Sequence, residues 1–453
     1  MPPFKVIIVG GGPAGLIAGH CLAKAGIDFL ILERRAKHDA DAGGSNALWP
    51  QNVRVFDQLD LLDEVKKLYT PLNYKLCVLA DGTPFHKSDL FAQVEIQHGH
   101  PFMFLPRGDL IAMLERRLPE RESRLHTDKQ VTAIETNDQG VKVVCADGSS
   151  FEGSMVIGAD GVHSTVRELM DRNLSRVPEE PMVTTYVGVY GSCSPFPKLE
   201  RGTFYETHGP GFSIQIAAGE SRDMFILYHR LPKPTKARHQ FSDEEKDALI
   251  ARYIDTHLTP DYTFKDIREA ARWTHMAHIE EGLLEKWYGE RIVLLGDAVH
   301  KMTPNAGFGF NNGITSAVAL TNGLRQLVRG VKLGDEIDTR ALTDVFAAYQ
   351  LERKPLAKKS IEVSALYSRV VAWDNLAWRL SDRYIVPRVD GDVLLLKLLM
   401  SPLVANGVLL DFVGEKQFKK GKKAWKYPQQ TIAVAGNQAA DDETKDTTEQ
   451  SGR

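Results

Sequence analysis

Glycines and one carboxylate near the start of the chain have the spacing that binding of a dinucleotide requires. Residues 10–15 read GGGPAG, and Glu33 follows about twenty residues later. Gly10 allows a tight turn, Gly12 lets the backbone approach a pyrophosphate, and Gly15 lets a helix lie close to a strand. The free N–H groups of that helix would face the phosphates. An acidic residue at position 33 favours an unphosphorylated ribose, as in FAD or NAD.

The elements around these glycines are predicted to alternate between strand and helix. Residues 5–9 form an apolar run typical of a buried strand, and residues 16–25 have the Ala and Leu content of a helix. A second strand is predicted at 28–32, directly before Glu33. We therefore expect a βαβ unit in which Ala14 and Arg34 also contact the dinucleotide.

A further carboxylate, Asp297, follows the apolar run 291–295 and lies between a glycine and an alanine. Small neighbours leave room for a cofactor hydroxyl, and a carboxylate accepts a strong hydrogen bond from it. Asp297 is therefore our candidate for binding the ribityl chain of a flavin. The alternative is that Asp297 only occupies a turn.

The sequence PNAGFGFNNG follows at 304–313, before a helix predicted to begin at Ile314. Backbone N–H groups at a helix start can face the electron-rich edge of a flavin ring. The residues of this loop that we expect to contact the cofactor are Pro304, Gly307, Gly309, Phe310 and Asn311.

Two shorter segments add candidate contacts. Arg107 lies beside a predicted helix start, where a guanidinium can pair with a phosphate; a surface salt bridge is the alternative. The small residues at 43–47 suggest a loop packed against the flavin, with contacts from Asn46 and Ala47. A simple turn is the alternative there.

Taken in order, these motifs resemble those of the class A flavin monooxygenases, the family of para-hydroxybenzoate and salicylate hydroxylases. Residues 159–167, ADGVHSTVR, resemble the DG motif of the family, which implies that Asp160 contacts FAD, although Asp160 could instead cap a helix. Residues 296–300, GDAVH, resemble the GD motif. The resemblance covers residues 4 to 325. It implies bound FAD, NAD(P)H as a transient co-substrate, and insertion of one atom of O2 into a small molecule.

The run GDAVHKMTPN at 296–305 is most similar to the fungal branch that oxidises prenylated indole diterpenes and meroterpenoids, often as epoxidases. Phe308, Phe310 and Ile314 depart from the usual pattern, in which a glutamine and an acidic helix start follow the proline. An apolar wall at this point would either exclude water or accept a large hydrophobic substrate. The sequence leaves both open.

The expected fold is α/β, with a Rossmann-like FAD-binding domain, an inserted antiparallel β-sheet substrate domain and C-terminal helices. The alternating segments within 173–278 predict that sheet, and short strands near 76–79 and 93–97 are expected to join it. The predicted domains are 1–72, 98–172 and 279–330 for FAD, 73–97 and 173–278 for substrate, 331–427 for the C-terminal helices, and 428–453 as a disordered tail.

Tyr205 and Tyr228 are the candidates for orienting the substrate or donating a proton to it, with His208 and Arg230 nearby in sequence. Each could equally be an ordinary residue of the sheet. His300 is interpreted as a buried histidine without a catalytic role.

Composition favours a globular protein that binds small molecules. The 453 residues carry a formal net charge of -3 with both signs mixed, which gives no basis for a nucleic-acid partner. No obligate protein partner and no metal are predicted, since the four cysteines lack metal-ligand spacing. The N-terminus is typical of a strand rather than a signal peptide, so a cytoplasmic location is expected. The basic, aromatic run at 416–427 could contact an anionic membrane, or could be a solvated end.

Three other functions were considered. A flavin-dependent halogenase is disfavoured because its WxWxIP signature is absent. A flavin oxidase or cyclase that inserts no oxygen would use the same fold. A non-catalytic binding protein of this fold would have no need for Asp160 and Asp297 beside intact glycines.

Overall fold

The computed structural model of the protein describes residues 4–37, 44–178, 180–331 and 336–429. The strands are β1 (Lys5–Val9), β2 (Asp28–Leu32), β3 (Ser45–Leu48), β4 (Thr70–Pro71), β5 (Tyr74–Leu79), β6 (Pro84–Ser88), β7 (Met103–Pro106), β8 (Leu125–His126), β9 (Val131–Thr136), β10 (Val141–Cys145), β11 (Ser150–Gly153), β12 (Met155–Gly158), β13 (Val183–Cys193), β14 (Thr203–Gly209), β15 (Phe212–Ala217), β16 (Asp223–Thr235), β17 (Ala271–Leu283), β18 (Tyr288–Gly289), β19 (Ile292–Leu294) and β20 (His300–Lys301).

The α-helices are α1 (Pro13–Ala25), α2 (Pro50–Gln58), α3 (Leu62–Lys66), α4 (Leu90–His98), α5 (Arg107–Arg116), α6 (Arg121–Arg124), α7 (Thr165–Asn173), α8 (Asp243–Arg252), α9 (Phe264–Ala270), α10 (Phe308–Gly330), α11 (Thr339–Val371), α12 (Leu376–Leu380), α13 (Val386–Val389), α14 (Gly391–Leu395) and α15 (Ser401–Ala405). Turns of 3-10 helix lie at Gly296–Ala298 and Pro304–Ala306. Turns of π-helix lie at Ser381–Ile385 and Leu396–Met400.

A mostly parallel six-stranded sheet carries the N-terminal glycines. Its strand order is β18-β19-β12-β1-β2-β8, and β1 pairs in parallel with both β2 and β12. The central strands are apolar and almost wholly buried, as expected where helices cover a parallel sheet. The carboxyl ends of β1, β12 and β19 bring Gly10, Asp160 and Asp297 to one edge of this sheet.

The second large sheet has the order β20-β17-β13-β16-β15-β14-β5-β6. Its neighbours are antiparallel, except that β14 and β5 run parallel. One face packs against α8 and α9, and we call it the outer face. The opposite, inner face is turned toward Gly44, because the ring of Tyr190 lies 2.8 Å from the position a Cβ atom would take on Gly44. These two sheets and the C-terminal helices confirm the expected fold class.

Two predicted elements differ in the structure. Residues 93–97, predicted as a strand, lie in α4, where Phe91, Val94 and His98 are buried at helical spacing. Helix α10 begins at Phe308 rather than at Ile314. The glycines of 304–313 suggested a loop, but packing against neighbouring elements overrides that local preference.

The C-terminal segment 411–429 lies along the body of the protein without regular secondary structure. Arg54 of α2 donates to both carboxylate oxygens of Glu415, at 2.7 and 2.8 Å, and to the carbonyl oxygen of Tyr427 at 2.9 Å. Its guanidinium also lies 4.5 Å from the ring centroid of Trp425. Residues 430–453, most of the predicted tail, lie outside the described residues.

Within the part of the chain that the structure describes, no helix is long and apolar enough to cross a membrane.

Candidate active site

The glycine turn between β1 and α1 has two crowded positions and one open position. A Cβ atom on Gly10, whose φ is 108°, would lie 2.5 Å from the carbonyl oxygen of Ala159. A Cβ atom on Gly15 would lie 1.9 Å from the carbonyl oxygen of Gly10, so glycine is needed for α1 to pack this closely. A Cβ atom on Gly12 would meet no described atom within 4 Å. The N-terminus of α1 therefore opens onto free space, where its N–H groups can bind a phosphate.

Glu33 is fixed beside this turn by backbone N–H groups. Its carboxylate accepts hydrogen bonds from Gly11 at 2.8 Å and from Arg35 at 3.0 Å, and the residue is buried. This arrangement orients a carboxylate at the end of β2, where a ribose would lie. The neighbouring Arg34 is exposed.

Ala14 brings the glycine turn into contact with the later motifs. Its Cβ atom lies 3.0 Å from the position of a Cβ atom on Gly296 and 3.4 Å from the equivalent position on Gly313. Gly296 belongs to the turn that carries Asp297, and Gly313 belongs to the first turns of α10. Small residues at all three positions allow the three motifs to converge.

Asp297 lies in the 3-10 turn after β19 and forms an ion pair with Lys301. Burial alone would raise the pKa of this carboxyl, but the attraction of Lys301 and Arg107 holds it below its ordinary value. A third of the side chain (33%) stays accessible although it lies deep among protein atoms, so it lines an internal cleft. A charged carboxylate here can accept a hydrogen bond from a cofactor hydroxyl.

Asp160 supports the start of α7. Its carboxylate accepts hydrogen bonds from the hydroxyl of Ser164 at 2.5 Å and from the backbone N–H of Val166 at 3.0 Å. Burial raises the pKa of Asp160. The geometry therefore matches the helix-capping alternative. The side chain of Asp160 is partly accessible, and its contact with the cofactor stays a prediction.

The segments around Asn46 and Arg107 are antiparallel partners in β3 and β7, and the backbone N–H of Arg107 donates to the carbonyl oxygen of Gly44 at 3.2 Å. The side-chain amide nitrogen of Asn46 is buried and has no hydrogen-bond partner among the described residues. The charge of Arg107 lowers the pKa of Asp297 and opposes the rise that burial causes in the pKa of Tyr190. One small sheet thus carries a free donor and a cation that reaches the cleft.

Asn311 fixes the start of α10 with its whole side chain. Its oxygen accepts from the backbone N–H of Trp49 at 2.9 Å, and its nitrogen donates to the carbonyl oxygens of Ala47 and Gly307, both at 2.7 Å. Only the backbone of Asn311 is left for a cofactor. A Cβ atom on Gly309 would meet no described atom within 4 Å, so the first turn of α10 also borders open space.

The three apolar residues at this helix start have different surroundings. Phe308 is buried and stacks on Trp49 with ring centroids 5.1 Å apart, and Ile314 is in the main core. Phe310 is half-buried. Phe308 and Ile314 therefore serve packing, and Phe310 alone could form the expected apolar wall. Pro304 begins the 3-10 turn that leads into Gly307, whose φ is 69°.

These residues fit FAD. The glycine turn, Glu33, Asp297 and the start of α10 lie along one edge of the parallel sheet and offer open space at Gly12 and Gly309. The unpartnered amide of Asn46 is a buried donor without an acceptor among the described residues. FAD has an oxygen-rich chain and a ring that accepts hydrogen bonds. It can therefore supply hydrogen-bond partners to these groups.

Tyr205 and Tyr228 lie on opposite faces of the eight-stranded sheet. Tyr205 packs in the outer-face cluster, and its hydroxyl accepts the backbone N–H of Glu200 at 2.9 Å. Tyr228 lies on the inner face, and its hydroxyl donates to the side chain of Gln215 at 2.9 Å. Burial raises the pKa of Tyr228 well above its ordinary value, so the phenol stays protonated. The structure thus brings Tyr228, and not Tyr205, to the side of the sheet that faces Gly44.

A buried ionic network lies behind Tyr228, and of its residues only His208 was singled out by the sequence pattern. Gln215 donates to Glu206 at 2.6 Å, and Lys75 lies 2.8 Å from Glu206. Burial alone would lower the pKa of Lys75, but the carboxylates of Asp392 and Glu206 raise it well above its ordinary value. Charged residues at alternate positions of the predicted strands were the available sequence signal for this network. The ion-pair partners of these residues are too distant in sequence to be inferred.

The side chains of Cys77, Glu206 and His208 lie within 4.8 Å of one another, which is close enough to share a cation. The two ring nitrogens of His208 already contact Glu206 at 3.1 Å and Asp382 at 2.7 Å. Lys75 already balances the charge of Glu206. We therefore assign no metal to this cluster.

His300 is fully buried and lies 3.4 Å from the hydroxyl of Ser316. Burial lowers its pKa to about 4, so the ring is neutral at neutral pH. Its Nδ1 atom is buried without a hydrogen-bond partner among the described residues, and the absence of a catalytic role stays a prediction.

Comparison with known proteins gives one consistent family. Residues 3–364 match the family described as an FAD binding domain. The FAD-dependent monooxygenase srdH of Neurospora crassa is 36% identical over 432 residues, which cover 90% of this chain and 96% of that protein. The FAD-dependent monooxygenase cdmI of Talaromyces verruculosus is 33% identical over 440 residues, covering 94% and 91%.

A solved structure has the same fold. The crystal structure of Klebsiella pneumoniae HpxO complexed with FAD and uric acid aligns with a TM-score of 0.74 at 21% identity, over 88% of this chain and 97% of that one. The family match and the two relatives show that FAD is the cofactor of this protein and that NAD(P)H and O2 are its co-substrates. With the family match spanning most of the chain and fungal relatives above 30% identity, the chain belongs to the family of FAD-dependent monooxygenases.

Proposed function

We propose that this monooxygenase hydroxylates or epoxidises a large hydrophobic molecule of fungal secondary metabolism, of the prenylated, terpenoid or aromatic polyketide kind. The observation that carries the proposal is the inner face of the eight-stranded sheet. Tyr190 and Ile226 are directly paired on β13 and β16, both keep accessible surface, and Tyr228 follows on the same face. Tyr190 contacts Gly44, and these three side chains are aromatic or aliphatic, which suits an apolar substrate. The amino-acid sequence of residues 296–305 supports the same substrate class.

When bound, FAD supplies the redox chemistry, taking a hydride from NAD(P)H and activating O2 once reduced. The protein holds the cofactor and shapes the space above it. We propose that the N-terminus of α1 at Gly12 binds the pyrophosphate, that Glu33 accepts from ribose hydroxyls, and that Asp297 accepts from the ribityl chain. Asn46 and the N-terminus of α10 would donate to the ring.

The same proposal includes contacts between FAD and the remaining candidate residues. These residues are Gly10, Ala14, Gly15, Arg34, Ala47, Arg107, Asp160, Pro304, Gly307, Gly309, Phe310 and Asn311. For Ala47 and Asn311 the contact is assigned to the backbone N–H groups. The side-chain nitrogen of Asn311 already donates to the carbonyl oxygen of Ala47.

Of the two candidate tyrosines, Tyr228 is proposed to orient the substrate. Its hydroxyl is held by Gln215, which Glu206 holds in turn, so the ring has a fixed position on the inner face. Apolar walls on this face keep water from the reacting atoms. Tyr205 is retained as a weaker candidate, because its side chain points to the outer face.

We also propose the domain division predicted from the sequence: 1–72, 98–172 and 279–330 for FAD, 73–97 and 173–278 for substrate, and 331–427 as a C-terminal region that is helical up to Ala405. The parallel sheet draws its strands from the first set and the antiparallel sheet draws most of its strands from the second, which supports the division.

A cytoplasmic location, peripheral to an intracellular membrane, completes the proposal. The four cysteines are buried as free thiols, which suits a reducing compartment. In the basic segment 416–427, the side chains of Lys420, Lys422 and Lys423 are exposed and can add positive charge near an anionic membrane.

The proposal is tested by comparing the metabolites of cells with and without the gene, grown under ¹⁸O2. We expect cells without the gene to accumulate a hydrophobic precursor, and the product to be heavier than that precursor by one atom of oxygen-18. A precursor and product that differ only in hydrogen would instead assign the protein to the oxidases or cyclases.

A further inference from the structure

We propose that the helical arm formed by Leu376–Met400 docks on an anionic lipid membrane. The arm comprises α12, α13, α14 and the two π-helical turns. Leu376 keeps 67% and Leu398 keeps 63% of its surface exposed. The large apolar side chains exposed along the arm are Leu376, Leu380, Tyr384, Ile385, Val389, Leu394 and Leu398. A continuous run of such side chains marks an interaction surface, whereas scattered ones do not.

The spacing of these residues is helical. Leu376, Leu380 and Tyr384 are four residues apart, as are Leu394 and Leu398, so each set lies on one side of its helix. The arm bends at Asp390, whose φ is 46°. Both halves therefore present an apolar ridge to solvent.

The acids of the arm turn inward, whereas Arg379, Arg388 and Lys397 are exposed. Asp382 bonds to His208 and Trp373, Asp392 to Lys75, and Asp390 to Ser88, so all three acids of the arm turn toward the protein body. The basic residues of the arm are Arg379, Arg383, Arg388 and Lys397. None of these four makes an ion pair with a carboxylate in the described ranges.

Apolar ridges with unpaired cations are the pattern of helices that lie in a membrane interface, where rings and aliphatic chains enter the acyl boundary and arginines meet anionic headgroups. A second copy of this chain is disfavoured as the occupant, because pairing two such arms would bring their arginines together. The basic segment 416–427 lies nearby, since the backbone N–H of Lys426 donates to Ala405 of α15 at 2.9 Å.

The inner side of the same arm reaches the substrate side of the sheet. Asp382 and Asp392 belong to the ionic network behind Tyr228, and Ala372, just before the arm, packs with Tyr228. A membrane contact here would place the enzyme where a hydrophobic substrate partitions. That consequence rests on the proposed oxidation of a hydrophobic substrate, whereas the docking rests only on the proposed peripheral location.

The test is sedimentation of the full-length holoprotein with phosphatidylcholine vesicles, with and without about 30% phosphatidylserine. The variant is L376S/I385S/L398S, and the matched control is Leu351→Ser, since Leu351 is 79% exposed on α11 outside the arm. FAD content and melting temperature report whether each variant is folded, and no substrate is used.

We expect the wild type and Leu351→Ser to bind phosphatidylserine vesicles, and the triple variant to lose at least tenfold in partition coefficient while keeping its FAD. Failure of the wild type to bind would overturn the proposal, as would equal binding by a folded triple variant. A wild type that dimerises without lipid and becomes monomeric in the triple variant would show an interface between copies instead. Should the triple variant fail to fold, Arg379→Gln/Arg388→Gln with a tenfold loss serves as the deciding variant.

Discussion

At the scale of single residues, Tyr228 and Tyr205 provide an internal comparison, because they lie on opposite faces of one sheet. We expect Tyr228→Phe to lower kcat on the native substrate by about tenfold or more, because the held phenol no longer orients the substrate. We expect Tyr205→Phe to lower kcat much less than Tyr228→Phe does, and to cost about 1 kcal/mol of stability through the lost bond to Glu200. Steady-state kinetics and denaturant unfolding of both variants measure this. Equal kinetic effects of the two changes would remove Tyr228 from the proposed site.

The glycine turn gives a second comparison between neighbouring residues. Gly12→Ala should fold like the wild type, because its Cβ atom meets nothing within 4 Å, yet bind FAD at least about tenfold more weakly by crowding the pyrophosphate. Gly15→Ala should destabilise even the apoprotein, because its Cβ atom would lie 1.9 Å from a carbonyl oxygen. Melting of the apoproteins and titration with FAD separate the two effects. A Gly12→Ala protein that binds FAD like the wild type would place the pyrophosphate elsewhere.

At the scale of elements, the segment 411–429 is tied to α2 by one buried ion pair. Arg54→Met should lower the free energy of unfolding by about 3–5 kcal/mol, because the buried carboxylate of Glu415 would lose both hydrogen bonds from the Arg54 guanidinium. Lys416→Gln, which removes an exposed ion pair with Asp60, is the control and should leave stability unchanged. Denaturant unfolding with urea measures both. A small loss in Arg54→Met would mean that the segment is dispensable to the fold.

Prediction from the sequence succeeded where the interacting residues are close along the chain. Gly10–Gly15 and Glu33 belong to one βαβ unit, so spacing alone placed them together. The start of α10 was misplaced because Asn311 bonds to Trp49 from 262 positions away. Lys75 and Asp392 are 317 positions apart, and nothing in either local pattern announces their pairing. Contacts of this kind depend on the tertiary fold, which single-sequence patterns do not contain.

At the scale of the whole molecule, several buried neutral histidines should make the protein sensitive to acid. Four histidines have a pKa lowered to about 4, mainly by burial. They are His20, His98, His100 and His300. The unfolded chain takes up a proton on each near pH 6.5, while the folded protein does so only near pH 4. Stability is therefore full above pH 6.5 and falls as the pH drops from 6.5 to 4.

His20 isolates this effect, because it lies in the C-terminal half of α1 and bonds to the carbonyl oxygen of Leu114 at 2.9 Å. Relative to His20→Gln, the wild type should lose about 2 kcal/mol of stability between pH 7 and pH 5. Urea unfolding at the two pH values gives this difference. A difference that does not change with pH would mean that His20 has the same pKa in the folded protein as in the unfolded chain.

This fold holds FAD for oxygen transfer, and the first test is the visible absorption spectrum of the purified protein. The protein is then denatured, and the released chromophore is identified by its mass. We expect flavin bands in the spectrum and a released chromophore with the mass of FAD, at one FAD per protein chain. A colourless protein that also fails to take up added FAD would contradict the account and favour a binding protein of the same fold.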